Sequence, residues 1–309
     1  MFSRRALFAR RVVCLGATPD SHHGLLVASI TTYLSFVRFS HSVFALPFAL
    51  TGALLAWRTE VFSWWQVMWI VVCMVGARSA AMGFNRLVDA RLDAVNPRTS
   101  MRELPRGRMS TTEAATFVVV SSCLFVYGAA QLSTLCLVLS PIALLIAFWY
   151  SLAKRYTSYT QLFLGLAMAV APVGGWIAAG GRQGAEPWLL GIAIGLWVAG
   201  FDILYACQDV EFDRTHGLRS MVTRFGVGTA IRFSRVMHAA TVIMMVVLWR
   251  LADLSPLFLV GVAMVAALLV YEQSLVSEGD LSQVKKAFNV NGYVGILFFT
   301  VTALSLFFG

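Results

Sequence analysis

From residue 28 onward the chain reads as a series of apolar runs of about 20 residues, separated by short stretches rich in Arg, Asp, Gly and Pro. A run of that length is what roughly 30 Å of hydrocarbon demands of a helix rising about 1.5 Å per residue. Nine runs are legible, at 28–57, 62–90, 112–132, 135–153, 159–180, 187–210, 228–250, 255–275 and 287–308. The pattern predicts an all-α membrane protein of about nine transmembrane helices, with a basic tail at 1–27 and a single polytopic domain at 28–309. Composition agrees, since 59% of residues are hydrophobic and only 13% charged, too apolar for a water-soluble domain.

Charge adds a direction. The net charge of +9 could suggest nucleic-acid binding, but the basic residues fall in alternate connections rather than one patch. Arg4, Arg5, Arg10 and Arg11 precede the first run, basic residues from Arg91 to Arg108 follow the second, Lys154 and Arg155 the fourth, Arg214 to Arg235 the sixth, and Lys285 and Lys286 the eighth. The opposite connections hold only Arg58, Arg182 and Arg250. The positive-inside rule then puts the N-terminus and the even-numbered connections in the cytoplasm, with membrane lipids rather than nucleic acid as surroundings. Residues 1–19 carry four Arg and no acid, as either a cytoplasmic tail or a mitochondrial targeting segment would. The tail is the preferred reading, with a bacterial plasma membrane ahead of the mitochondrial inner membrane. Cys14, Cys73, Cys123, Cys136 and Cys207 show neither a C-x-x-C pattern nor a His partner at ligand spacing, so no disulfide or zinc site is expected.

Acids are costly inside a span, so their positions are informative. The segment NRLVDARLD at 85–93 sets Asn85, Asp89 and Asp93 at i, i+4 steps, on one side of the second helix at its cytoplasmic end. Arg78 lies a heptad further back. The segment DILYACQDVEFD at 202–213 ends the sixth helix and repeats the spacing with Tyr205, Asp209 and Asp213, Asp202 standing a turn earlier. Like charges at i, i+4 repel, so two such arrays at one membrane face call for cations between them. All-oxygen donors suit Mg²⁺, which takes one or two carboxylates plus phosphate oxygens. Solvated helix ends with ordinary acids are the bland alternative.

Each array is followed by a basic turn-rich loop. Arg98, Arg102, Arg219 and Arg224 are candidates to neutralise a diphosphate, or equally orientation signals that touch lipid headgroups. Tyr150, Lys154 and Arg155 end the fourth helix on the same face, as ligand contacts or as an interface anchor.

At these residues the chain resembles the UbiA superfamily of intramembrane aromatic prenyltransferases. N-x-x-x-D-x-x-x-D at Asn85, Asp89 and Asp93, and D-x-x-Y-x-x-x-D-x-x-x-D at Asp202, Tyr205, Asp209 and Asp213, fit its two motifs. Tyr150, Lys154 and Arg155, together with Gly217 and Ser220, also look like family features, and Arg219 stands where many members have Lys. FSHSVFALPFAL at 39–50 and RSAAMGFNR at 78–86 resemble the 4-hydroxybenzoate polyprenyltransferase subgroup, whose near relatives are linked to menaquinone formation from a dihydroxynaphthoate.

The resemblance implies Mg²⁺ held by Asn85, Asp89, Asp93, Asp209 and Asp213, and a polyprenyl diphosphate bound by Arg78, Arg98, Arg102, Tyr150, Lys154, Arg155, Arg219 and Ser220. It further implies catalytic roles for Asp202 and Tyr205, and an aromatic acceptor met by Arg38 and His41. A transporter would need acids near the bilayer midplane, and a CDP-alcohol phosphotransferase a D-G-x-x-A-R sequence. The chain has neither feature.

Overall fold

The computed structural model describes residues 32, 33, 35–37 and 45–308, and among them every long element is a helix. The helices are α1 (Leu46–Ala56), α2 (Trp64–Val95), α3 (Thr111–Leu132), α4 (Thr134–Tyr156), α5 (Thr160–Ala178), α6 (Glu186–Ala206), α7 (Val227–Leu251), α8 (Leu257–Ser274) and α9 (Val284–Phe307). Eight of them are long and apolar enough to cross a membrane among the described residues, and α1 is a shorter apolar helix of 11 residues.

Two boundaries bear on the site. Helix α2 runs 32 residues, to Val95, so Asp93 is still helical and the first array is continuous. Helix α6 instead stops at Ala206, passes through a 3₁₀ turn at Cys207–Asp209 and resumes over Val210–Thr215. The expected unbroken stripe of Tyr205, Asp209 and Asp213 is therefore overwound. At 3.0 residues per turn, the three tight residues rotate the Val210–Thr215 helix by roughly 60° relative to a continuous α-helix.

Helix α6 occupies the middle of the bundle. Its most apolar stretch is 61% buried, against 11% for α4, whose outer face carries Leu145, Ile142 and Val138 toward lipid. Trp197 and Phe201 of α6 pack with Phe48, Phe258 and Phe298 in the main core. Small residues allow close helix crossings in the absence of a hydrophobic drive between spans. A Cβ on Gly175 would strike the Ala49 carbonyl of α1, and one on Gly52 the Pro172 carbonyl of α5. Gly175→Val is accordingly expected to lower stability by about 1–3 kcal/mol, as overpacking does. Thermal unfolding in detergent measures this, and an unchanged midpoint would contradict the tight crossing.

Polar pairs fix the rotation of α6. Ser234 Oγ donates to Gly200 O at 2.7 Å and Thr241 Oγ1 to Ala193 O at 3.1 Å, which ties it to α7. The Trp197 indole donates to Asn291 Oδ1 at 2.8 Å, and the Asn291 amide donates to Glu272 Oε1 at 2.7 Å, which ties it to α9 and α8. Hydrogen bonds of this kind specify one arrangement in a setting where any lipid-facing apolar surface packs equally well.

Candidate active site

The C-terminal ends of α2, α4 and α6 meet at one end of the bundle around a cavity of about 250 Å³. Both acid arrays line it, through Asn85, Asp89 and Asp93 on one side and Asp202, Tyr205, Asp209 and Asp213 on the other. Residues about 120 positions apart in sequence thus face one space, as the opposed spacing predicted.

Each array already carries positive charge. Asp89, 3% exposed, accepts from Lys154 Nζ at 2.5 Å and from Arg155 Nη2 at 2.8 Å. Arg155 also donates to Val88 O at 2.8 Å, and the Asn85 amide lies 3.5 Å from Asp89 Oδ2. Arg102 Nη1 bonds both oxygens of Asp93 at 2.7 Å. Arg98 crosses the cavity: its Nε and Nη2 donate to Asp209 at 3.0 and 2.6 Å and its Nη1 to the Tyr205 hydroxyl at 3.1 Å. Burial works against the Arg98 charge, but the hydrogen bond and charge of Asp209 outweigh it and hold the pKa above the ordinary arginine value. The charge-assisted fork makes Arg98 a strap between the α2–α3 loop and α6.

Other expected diphosphate ligands have different geometry. Arg219 donates from its backbone N to Lys154 O at 2.8 Å and from Nη1 to Tyr156 O at 2.7 Å, so it caps the C-terminal end of α4. Ser220 closes a capping box with Thr223 at the start of the short helix Met221–Phe225. Both still line the cavity, as does Tyr150. Arg78 is a half-buried α2 residue within electrostatic range of Tyr150, and it is not among the residues lining the cavity. Arg38 and His41, the expected acceptor contacts, lie outside the described residues.

Two residues of the site escape a reading of the sequence. Gln161, 3% exposed, lines the cavity and accepts from Met221 N at 3.2 Å, joining α5 to the loop after α6. Its signal is a lone amide opening an otherwise apolar run. Asn96 accepts from Arg98 N at 2.9 Å and so shapes the strap's root. An Asn before Pro is a turn signal that assigns no role by itself.

The donor set fits a hard divalent cation. It is all oxygen, it has Asp89 and Asp93 on one side and Asp209 and Asp213 on the other of a cavity wide enough for phosphate, and Asp89, Asp93 and Asp209 are now held by ammonium and guanidinium charge. Among the described residues no three acids converge on one point, so each ion would take few protein ligands and complete its shell elsewhere.

The profile of the UbiA prenyltransferase family matches residues 45–302, from just before α1 into the last turns of α9. This chain belongs to the UbiA prenyltransferase family. It is 31% identical over 244 residues to a 4-hydroxybenzoate octaprenyltransferase of Photobacterium profundum, covering 76% of this chain and 82% of that one. A protein of the same name from Vibrio cholerae is 33% identical over 233 residues, 74% and 81% of the two chains. Among solved structures, a UbiA homolog from Aeropyrum pernix K1 in its apo form superposes with a TM-score of 0.79 at 35% identity, over 86% of this chain and 98% of that one. A UbiA homolog from Archaeoglobus fulgidus, bound to GPP and Mg²⁺, has the same fold with a TM-score of 0.68 at 20% identity, over 88% and 99% of the chains. This UbiA-family chain is thus an integral-membrane prenyltransferase, and its cavity lies where the two acid-bearing helices of the bundle end.

Proposed function

We propose that this chain transfers a polyprenyl group from a polyprenyl diphosphate to a carboxylated aromatic quinone precursor of the 4-hydroxybenzoate type, with Mg²⁺, in ubiquinone or menaquinone formation. The observation that carries the reading is the pair of opposed acid arrays across one cavity, each with its own counter-cations. The curated relatives' name supports the benzoate acceptor ahead of a dihydroxynaphthoate.

Asn85, Asp89, Asp93, Asp209 and Asp213 would hold Mg²⁺, which when bound supplies Lewis-acid neutralisation of the leaving diphosphate. Lys154, Arg155, Arg98 and Arg102 have charge and reach to turn from the carboxylates to phosphate oxygens, and Arg forks match that geometry. The allylic C–O bond breaks, the electron pair leaves with the diphosphate, and a ring carbon of the acceptor forms the new C–C bond. The ring proton then leaves to a base. Asp202 lines the cavity a helical turn inside Tyr205 and is the carboxylate assigned to orient the phenol or accept that proton. The apolar spans around the cavity would hold the prenyl tail and exclude water from the allylic cation. The cavity-lining Tyr150 completes the diphosphate end, with the Arg78 charge acting on it from α2 outside the cavity lining, and Arg38 and His41 remain the proposed partners of the acceptor carboxylate. The basic connections at this end support a cavity that faces the cytoplasm from a bacterial plasma membrane.

The test is a transfer assay with purified protein, a labelled polyprenyl diphosphate, and 4-hydroxybenzoate or dihydroxynaphthoate offered separately. Product with the benzoate, lost on chelation and restored by Mg²⁺, is the expected result. Product with the naphthoate alone would reassign the acceptor, and transfer that survives chelation would remove Mg²⁺ from the mechanism.

A further inference from the structure

The loop from Asn96 to Ser110 has two working sides. One side sends Arg98 and Arg102 to the carboxylates. The other carries Glu103, whose side chain is 12% exposed and is not part of the cavity wall. Its Oε1 accepts from Ser35 Oγ at 2.5 Å, and its Oε2 lies 4.0 Å from Nη1 of Arg86, a side chain only 4% exposed. Arg86 follows Asn85 on α2 and is turned about 100° round the helix from it. The same side of the loop adds Leu104 and Met109, which pack with Phe36, Val37 and Phe117.

A nearly buried ion pair at 4.0 Å gains little net stability, because desolvation of both charges offsets most of their attraction. What such a pair supplies is a fixed point. Glu103 is bonded in sequence to Arg102, so anchoring its side chain restrains the Glu103 Cα and, about 3.8 Å along the chain, the Arg102 Cα. Arg102 can then chelate Asp93 with both oxygens engaged, without first ordering the chain that carries it.

We propose that Glu103 is a positioning residue: it pins the 96–110 loop to Arg86 on α2 and to Ser35 of the segment before α1, so that Arg102 and Arg98 stand over the acid arrays. Through them it sets affinity for the prenyl diphosphate, a consequence that rests on the function proposed above. Its effect falls on the diphosphate and not on the acceptor, since the two arginines face the carboxylates.

The experiment uses the full chain in detergent, with Glu103→Gln to remove the charge and Ser35→Ala to remove one partner while keeping it. The first measurement is tryptic cleavage after Arg106, an exposed residue of the same loop whose scissile bond is not next to the substituted position, with no substrate present, which reads the anchor whatever the reaction is. Cleavage about tenfold faster in Glu103→Gln, with a smaller rise in Ser35→Ala, is expected from the loss of hydrogen bonds to a charged group. The second is steady-state transfer: KM for the polyprenyl diphosphate rises about tenfold, while kcat and the acceptor KM stay within about twofold. Wild-type cleavage and KM in both variants would overturn the proposal. So would a lowered melting temperature with both KM values and kcat moving together, since that marks a pillar of the fold. A wild-type protein that transfers no prenyl group defeats the functional reading alone, and the cleavage comparison still decides the anchor.

Discussion

Asp89→Ala is expected to lower transfer about 10²–10³-fold and to destabilise the protein, whereas Asp213→Ala lowers transfer to a similar extent and leaves stability nearly unchanged. The difference comes from what each acid holds. Asp89 is 3% exposed and is the shared partner of Lys154 and Arg155, whose side chains are 31% and 27% exposed. Its removal leaves two cations facing each other at the end of a span. The cost lies between the few tenths of a surface pair and the several kcal/mol of a fully buried one, at about 2 kcal/mol. Asp213 lines the same cavity without a comparable ion pair among the described residues, so its removal relieves repulsion in the second array. Loss of one electrostatic group at the leaving diphosphate corresponds to about 10²–10³-fold in kcat. The check is kcat together with the thermal unfolding midpoint for both variants. Equal melting temperatures would show that Asp89 does not organise the α2–α4 contact, and retained activity in either variant would remove that residue from the proposed cation set.

Arg98→Lys is expected to behave much more like Arg98→Ala than like the wild type. Arg98 makes three directed bonds at once, two to Asp209 and one to the Tyr205 hydroxyl, and its guanidinium also lies 5.4 Å from the Tyr205 ring centroid. An ammonium group keeps the charge but not the planar fork, so it cannot reproduce the bridge from the α2–α3 loop to α6. A rise of about tenfold or more in KM for the prenyl diphosphate is expected in both variants, with the acceptor KM little changed. Competitive inhibition by inorganic diphosphate gives an independent reading, and should weaken in parallel. If Arg98→Lys retained the wild-type KM, charge alone would suffice and the strap geometry would carry no weight.

The two arrays show how spacing and conformation separate. Asn85, Asp89, Asp93 and Tyr205, Asp209, Asp213 share the same i, i+4 spacing, and sequence reading treats them alike. In the folded chain the first is a continuous α-helix, while the second is interrupted by the 3₁₀ turn at Cys207–Asp209. Nothing in the residues at 207–209 is a helix breaker. The tighter turn is accompanied by the fork of Arg98 on Asp209 and by the packing of Cys207 and Val210 in a second core cluster, both contacts between elements distant in sequence. Arg219 and Ser220 teach the same lesson. Their charge and hydroxyl are legible as phosphate ligands, but the α4 carbonyls and Thr223 have first claim on them once the loop folds back.

The sequence by itself determined the membrane class, the succession of apolar helices and the two acid motifs, because each depends on local quantities: run length against bilayer thickness, and helical periodicity. It also exposed the demand for positive charge, since clustered acids at a membrane face must be neutralised. Only the tertiary structure decided which cations answer that demand. Lys154 and Arg155 go to Asp89, Arg102 to Asp93 and Arg98 to Asp209, a distribution across 65, 66, 9 and 111 positions of chain. Many basic residues satisfy the same composition, and the pairing depends on helix crossings, on the rotation of α6 fixed by Asn291 and Ser234, and on a loop pinned from behind by Glu103. Those are properties of distances in space, which a linear pattern of charges leaves degenerate.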